Sequence, residues 1–109
     1  MEDKDEGTQA VAPESKEVVD QIQHHAATTE TWALLADGFE DALIGYCDPP
    51  FEGLDYFIAV YDRDKCIEIL MKRDGMEYDK AVEFFEFNVV GAHMGPGTPA
   101  FVTILRNAR

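Results

Sequence analysis

The stretch from Tyr61 to Ala92 constrains this fold more than any other: Y-D-R-D-K-C-I-E-I-L-M-K-R-D-G-M-E-Y-D-K-A-V-E-F-F-E-F-N-V-V-G-A. It reads as two short helices joined at a glycine. Asp62 is placed to cap the first, where a carboxylate accepts orphan backbone N–H groups, and Asp64 adds charge that the helix dipole favours. Cys66, Ile69, Leu70 and Arg73 fall at helical spacing, with Ile67 and Met71 widening the apolar stripe. Gly75 stops that helix in the left-handed region, and Met76 is placed for the accompanying apolar contact. The second helix spans about Tyr78 to Val89. Val82, Phe85 and Val89 form its stripe, Ala81 and Phe84 lie beside it, and Phe87 points away as a candidate exposed aromatic. Gly91 ends it.

Strand signals surround this pair. Tyr56–Tyr61, Y-F-I-A-V-Y, is continuous, β-branched and aromatic, the pattern of a central strand buried on both faces. Ala100–Leu105 is a second strand. Earlier, T-W-A-L-L-A and A-L-I-G-Y-C flank an Asp-Gly turn and predict two strands joined across residues 37–41. A helix across Phe39–Leu43 is the competing reading, because periodicity does not settle short apolar runs. Trp32 and Tyr46 fall on these strands and are expected in the core. The order strand, strand, strand, helix, helix, strand predicts an α+β fold: a mostly antiparallel sheet of about four strands with two helices on one face.

Residues 1–16 read as a disordered acidic tail with nothing to bury. Residues 17–29 read as a short helix or linker, capped at Ser15 and marginal on its own. Residues 30–109 read as a single α+β domain. His24 and His25 are neighbours on that short helix, so their rings diverge and read as a solvated helix end.

Charge narrows the partners. Twenty-two acidic residues against nine basic ones give a net charge of −13, and the residues after Glu30 carry −7 of it. Such a surface repels nucleic acid, whose backbone needs clustered Lys and Arg. It suits solubility, a basic protein partner, or mimicry of nucleic acid. No apolar run approaches membrane-spanning length. The N-terminus lacks a signal-peptide pattern, so a soluble cytoplasmic protein with reduced thiols at Cys47 and Cys66 is expected.

Few residues suggest chemistry. Asp37, Glu40 and Asp41 crowd one loop, and Asp62 and Asp64 another. If they converge, they offer oxygen ligands to Mg²⁺ or Ca²⁺; turn chemistry at Asp37 and helix capping at Asp62 are the commoner roles and already explain the residues. Cys66 with His93 would pair a nucleophile and a base, but Cys66 lies on the apolar stripe. G-P-G-T-P at 95–99 lacks the G-K-[ST] ending of a phosphate loop. Asn88, His93 and Thr98 are candidates for a structural latch or a ligand contact. No motif implies a cofactor.

The blocks D-G-F-E-D-A-L-I-G, V-Y-D-R-D-K-C-I-E-I-L-M, the G-M-x-Y-D-K-A-V-E-F-F-E-F-N-V-V-G-A run and G-T-P-A-F-V occur in this order across residues 36–102. Together they resemble a group of small uncharacterised bacteriophage-encoded proteins. The resemblance implies a phage origin and a host-cytoplasm location, and no particular reaction. Glu77 departs from it: Ser or Thr is expected there, so the second helix has a weaker cap. The expected function is protein binding by a non-enzymatic accessory protein, directed at a host or defence factor with a basic surface. Asp37, Glu40, Asp41, Asp62, Asp64 and Phe87 would supply the contact. A metal-dependent ligand binder or small enzyme built on the same carboxylates, and a self-associating assembly protein, are the alternatives.

Overall fold

The computed structural model describes residues 13–92 and 94–105, with the side chains of residues 13 and 14 left aside. Helix α1, Pro13–Thr29, starts on a proline, whose fixed φ and missing N–H suit the first helical turn. The helix therefore begins before Ser15, which is buried inside it and is not its cap. Residues 13–16, expected in the tail, are part of this helix. Val18, Val19, Ile22 and Ala26 recur at helical spacing and face the core. Glu30, at φ 57, ends the helix in the left-handed region, and the Thr31 N–H donates to the Ala26 carbonyl at 3.1 Å. This is the Schellman arrangement with glutamate where glycine is usual, so no glycine marks the stop.

The expected first strand does not form. Trp32 makes only an isolated bridge to Tyr56. The Trp32 N–H donates to the Asp55 carbonyl, the Phe57 N–H donates to the Trp32 carbonyl, and the Leu34 N–H donates to the Gly97 carbonyl. The segment divides its hydrogen bonds between two neighbours, so it ties loops together without building a ladder. The turn at 37–39 leads into one 3₁₀ turn, Glu40–Ala42, and then directly into strand β1, Leu43–Cys47. The hairpin expected over 31–47 is therefore corrected: only its second strand forms, and the competing helix reading across Phe39–Leu43 survives as the single 3₁₀ turn.

β1 pairs antiparallel with β2, Ile58–Asp62, with a bulge at Ile44. β2 pairs in parallel with β3, Ala100–Val102. The sheet is three-stranded and mixed, in the order β1-β2-β3, so the four-stranded, mostly antiparallel expectation is corrected while the α+β class holds. The long crossover explains the parallel pair: two helices and the 91–99 loop carry the chain back before β3 begins.

Between β2 and β3 the capping signals act as their chemistry predicts. The Asp62 Oδ1 accepts from the Asp64 and Lys65 backbone N–H groups at 3.0 and 3.3 Å, starting α2, Arg63–Asp74. Gly75 closes α2 at φ 69. Helix α3, Tyr78–Phe84, starts at Glu77 without a side-chain cap and passes into a π-helical turn, Phe85–Val90.

The core lies between the sheet and the helices. Ile22, Phe39, Leu43, Phe57, Ala59, Tyr61, Cys66, Ile67, Leu70, Ala81 and Phe85 are buried together. Leu43, Tyr61 and Phe101 are matched in register across the three strands, so one sheet face carries them all. The opposite face carries Ile44, Ile58, Val60, Ala100 and Val102, none of which belongs to the core or packs against it. β2 is central as expected, yet among the described residues only one side of its apolar pattern joins the core, while Ile58 and Val60 on the other side are half-buried.

Candidate functional site: an acidic turn, a π-helical turn and the clefts between them

Arg73, at the end of α2, holds the acidic turn in place. Its Nη1 donates to the Gly38 carbonyl at 3.0 Å, and its guanidinium lies 5.5 Å from the centre of the Phe39 ring. The Gly38 N–H points to the Glu40 carboxylate, a long contact at 3.4 Å. The buried Tyr61 hydroxyl accepts from the Ala36 N–H at 2.8 Å, which fixes where the turn begins. Burial pushes the Tyr61 hydroxyl up to about 12; the bond from Ala36 opposes this, and the charges of Glu40 and Asp37 add to it. That tyrosine is a neutral structural post and not a base at ordinary pH.

The two acidic groups take different roles. Asp37 is exposed at the turn, while Glu40 and Asp41 are half-buried in the 3₁₀ turn. Leu43 is opposite Tyr61, so this turn and the Asp62–Asp64 segment lie at the same end of the sheet. Asp62 is engaged as the cap of α2. With Asp64 it lines a shallow cleft beside Lys65, Glu68, Lys72 and Tyr78, where lysines offset the carboxylates. Among the described residues, no group of three or more His, Cys, Asp or Glu side chains is arranged to hold a metal ion. The metal-dependent alternative required such convergence.

Asp37 converges with different residues. It lines a cleft of about 290 Å³ together with Leu35, Phe39, Asn88, Val89, Thr98 and Phe101. Asn88 also lines the next cleft, of about 530 Å³, with Met76, Phe84 and Phe87. The π-helical turn is what puts Phe87 and Asn88 at this divide. Its wider hydrogen bonding is visible in the Gly91 N–H donating to the Glu86 carbonyl at 3.0 Å. Phe87 is 76% exposed, as its off-stripe position predicts, whereas Phe85 is fully buried against Phe39 and Phe101.

Of the latch candidates, Thr98 closes its own turn: its hydroxyl donates to the Gly95 carbonyl and accepts from the Met94 N–H. The Asn88 side chain is exposed and makes no hydrogen bond among the described residues, so no latch to a described loop backbone is seen. His93 lies outside the described residues. Sequence reading missed the convergence of Asp37, Asn88 and Thr98 on one cleft, because nothing local joins positions so far apart in the chain.

Two other expectations change. His25 is not a solvated helix end; its ring stacks on Tyr46 with centroids 4.2 Å apart and meets Phe57 edge-on at 4.8 Å. Trp32 and Tyr46, expected in the core, are both substantially exposed.

Both cysteines are free, Cys47 exposed and Cys66 buried. Burial, with the Asp62 charge second, pushes the Cys66 thiol up to about 12, which removes it as a nucleophile. A disulfide-exchange reagent added to the native protein should therefore modify one thiol rapidly, at Cys47. Cys66 should react only after denaturation, and two rapidly reacting thiols would contradict this packing.

Among the described residues, no helix is long and apolar enough to cross a membrane. Comparisons with protein-family models, with curated proteins and with solved structures found no match to this chain.

Proposed function

We propose that this chain acts by binding another protein, as a small acidic accessory protein of bacteriophage type directed at a basic surface on a host or defence factor. One observation carries the reading: Asn88 lines both clefts, so exposed Phe87 and the acidic turn at Asp37 belong to one continuous surface. An exposed aromatic beside carboxylates fits a partner that presents a pocket rimmed with Lys or Arg. Charge attraction steers the encounter and the ring anchors the complex. Asp62 and Asp64 contribute field and little contact, since Asp62 is committed to its cap.

The test is capture from bacterial lysate on immobilised protein, at low and high salt. The parent should retain a defined protein that high salt releases. Asp37→Asn combined with Phe87→Ser should lose it while far-ultraviolet circular dichroism stays unchanged. Capture that is indifferent to both substitutions would remove this surface from the account.

A further inference from the structure

The outer face of the sheet does not look like a solvent face. In a sheet covered on one side, outward positions are ordinarily polar. Here they are Ile44, 48% exposed, Val102, 37% exposed, and the half-buried Ile58, Val60 and Ala100. Cys47, opposite Ile58, continues the face at one end. Trp32, 40% exposed and bridged to Tyr56, borders it, with the two rings 5.7 Å apart. The helices pack on the other side. The alternation that gives a strand a polar side has been replaced by a second apolar side, which a water-facing strand does not need.

Charge defines what fits there. No Lys or Arg occurs between Lys16 and Arg63, and residues 94–105 are uncharged, so no strand carries a base; Arg63 follows β2 in the sequence, and Arg106 and Arg109 follow β3. Asp48, Glu52 and Asp55 stand in the loop at one end of β1 and β2, and Glu40, Asp41 and Asp62 stand at the other. Among the described residues, the bases that follow β2 are paired with acids: Arg63 with Glu86 at 2.7 Å and Lys65 with Glu68 at 3.2 Å. A second copy of this chain would bring like charge to both ends. An anionic lipid surface would be repelled as well.

We infer that the outer face of β1-β2-β3 is a docking surface for a basic amphipathic helix of another protein, whose apolar stripe crosses Ile44, Val60 and Val102 and whose Lys or Arg residues meet the acidic strand ends. A sheet of three strands is about as wide as one helix with its side chains, and a covering helix would complete a three-layer α/β/α sandwich. The apolar face is separate from Phe87, although the acidic turn at 37–41 borders both surfaces, so Phe87→Ser distinguishes the two proposals.

Trp32 is the only tryptophan and reports on the face directly. The probe is a two-heptad helical peptide of Leu and Lys with a continuous apolar stripe; its control has the same composition with the stripe scrambled. Titrating the striped peptide should shift Trp32 emission to the blue and saturate, and added salt should weaken it. Ile44→Thr with Val102→Thr should lower affinity about tenfold or more, a loss of about 1.4 kcal/mol or more. Cys47→Lys, one exposed change on the same face, should weaken it independently of any effect of the double substitution on folding. Phe87→Ser should bind as the parent does, which separates this face from the surface proposed above. Equal binding of both peptides, or full affinity in both face variants, would overturn the inference. So would a dimer that the face variants dissolve in light scattering, or uptake of the parent onto neutral lipid vesicles that the same variants abolish.

Discussion

Phe85→Ala should destabilise this protein by roughly 3–5 kcal/mol, the range for deleting a buried aromatic ring from a packed core. The ring is fully buried, meets Phe101 edge-on at 5.1 Å and Phe39 at 6.5 Å, and lies under the Arg63 guanidinium at 5.7 Å. It therefore joins the helix layer, the acidic turn and β3 at one point. Small domains hold together by only about 5–15 kcal/mol, so the substitution removes a large share of the total. Phe87→Ala, two residues on, should change stability by no more than about 0.5 kcal/mol, because that ring is exposed. Urea unfolding with unchanged slope separates the two. Similar losses at both positions would mean that the π-helical turn does not divide these rings as described.

Gly97→Ala should destabilise the protein by roughly 1–3 kcal/mol, for forcing a residue into a sparsely populated backbone region. Gly97 has φ +81, and a Cβ there would lie 2.6 Å from Cζ3 of the Trp32 ring. The ring must move, and its emission should move with it. Gly95→Ala is the control: its φ is +90, but no atom lies within 4 Å of an added Cβ. It should show a backbone penalty without a change in Trp32 emission. Matching spectra for the two variants would argue against the Trp32–Gly97 contact.

What could be read in the sequence was local. Asp62, Gly75 and the uncapped Glu77 act through groups within a few residues, and their chemistry identifies them. The stripe through Ala81 and Phe85 and the exposure of Phe87 follow from helical spacing in the same way. What escaped depended on distant partners. Thr31–Ala36 has strand-like composition but lies between two loops, and its hydrogen bonds go to both. Glu30 ends α1 without the usual glycine. The direction of β3 is set by the return path of the chain, which no residue of β3 encodes. The cleft at Asp37, Asn88 and Thr98 depends on the same tertiary arrangement. β2 is the instructive case: its pattern implies burial on both sides, and among the described residues the core covers one.

If the outer side of β2, left outside the core of the described residues, serves contact, its side chains should contribute little to folding. Equilibrium unfolding of the Ile44→Thr, Val102→Thr protein tests it most directly. Threonine keeps the β-branched shape that strands favour while making the surface polar. If the outer face serves a partner, the isolated chain should lose no more than about 1 kcal/mol for these two partly exposed positions and should remain two-state. A loss of roughly 3 kcal/mol or more, the scale of a core truncation, would place these side chains in the protein's own core and contradict the account.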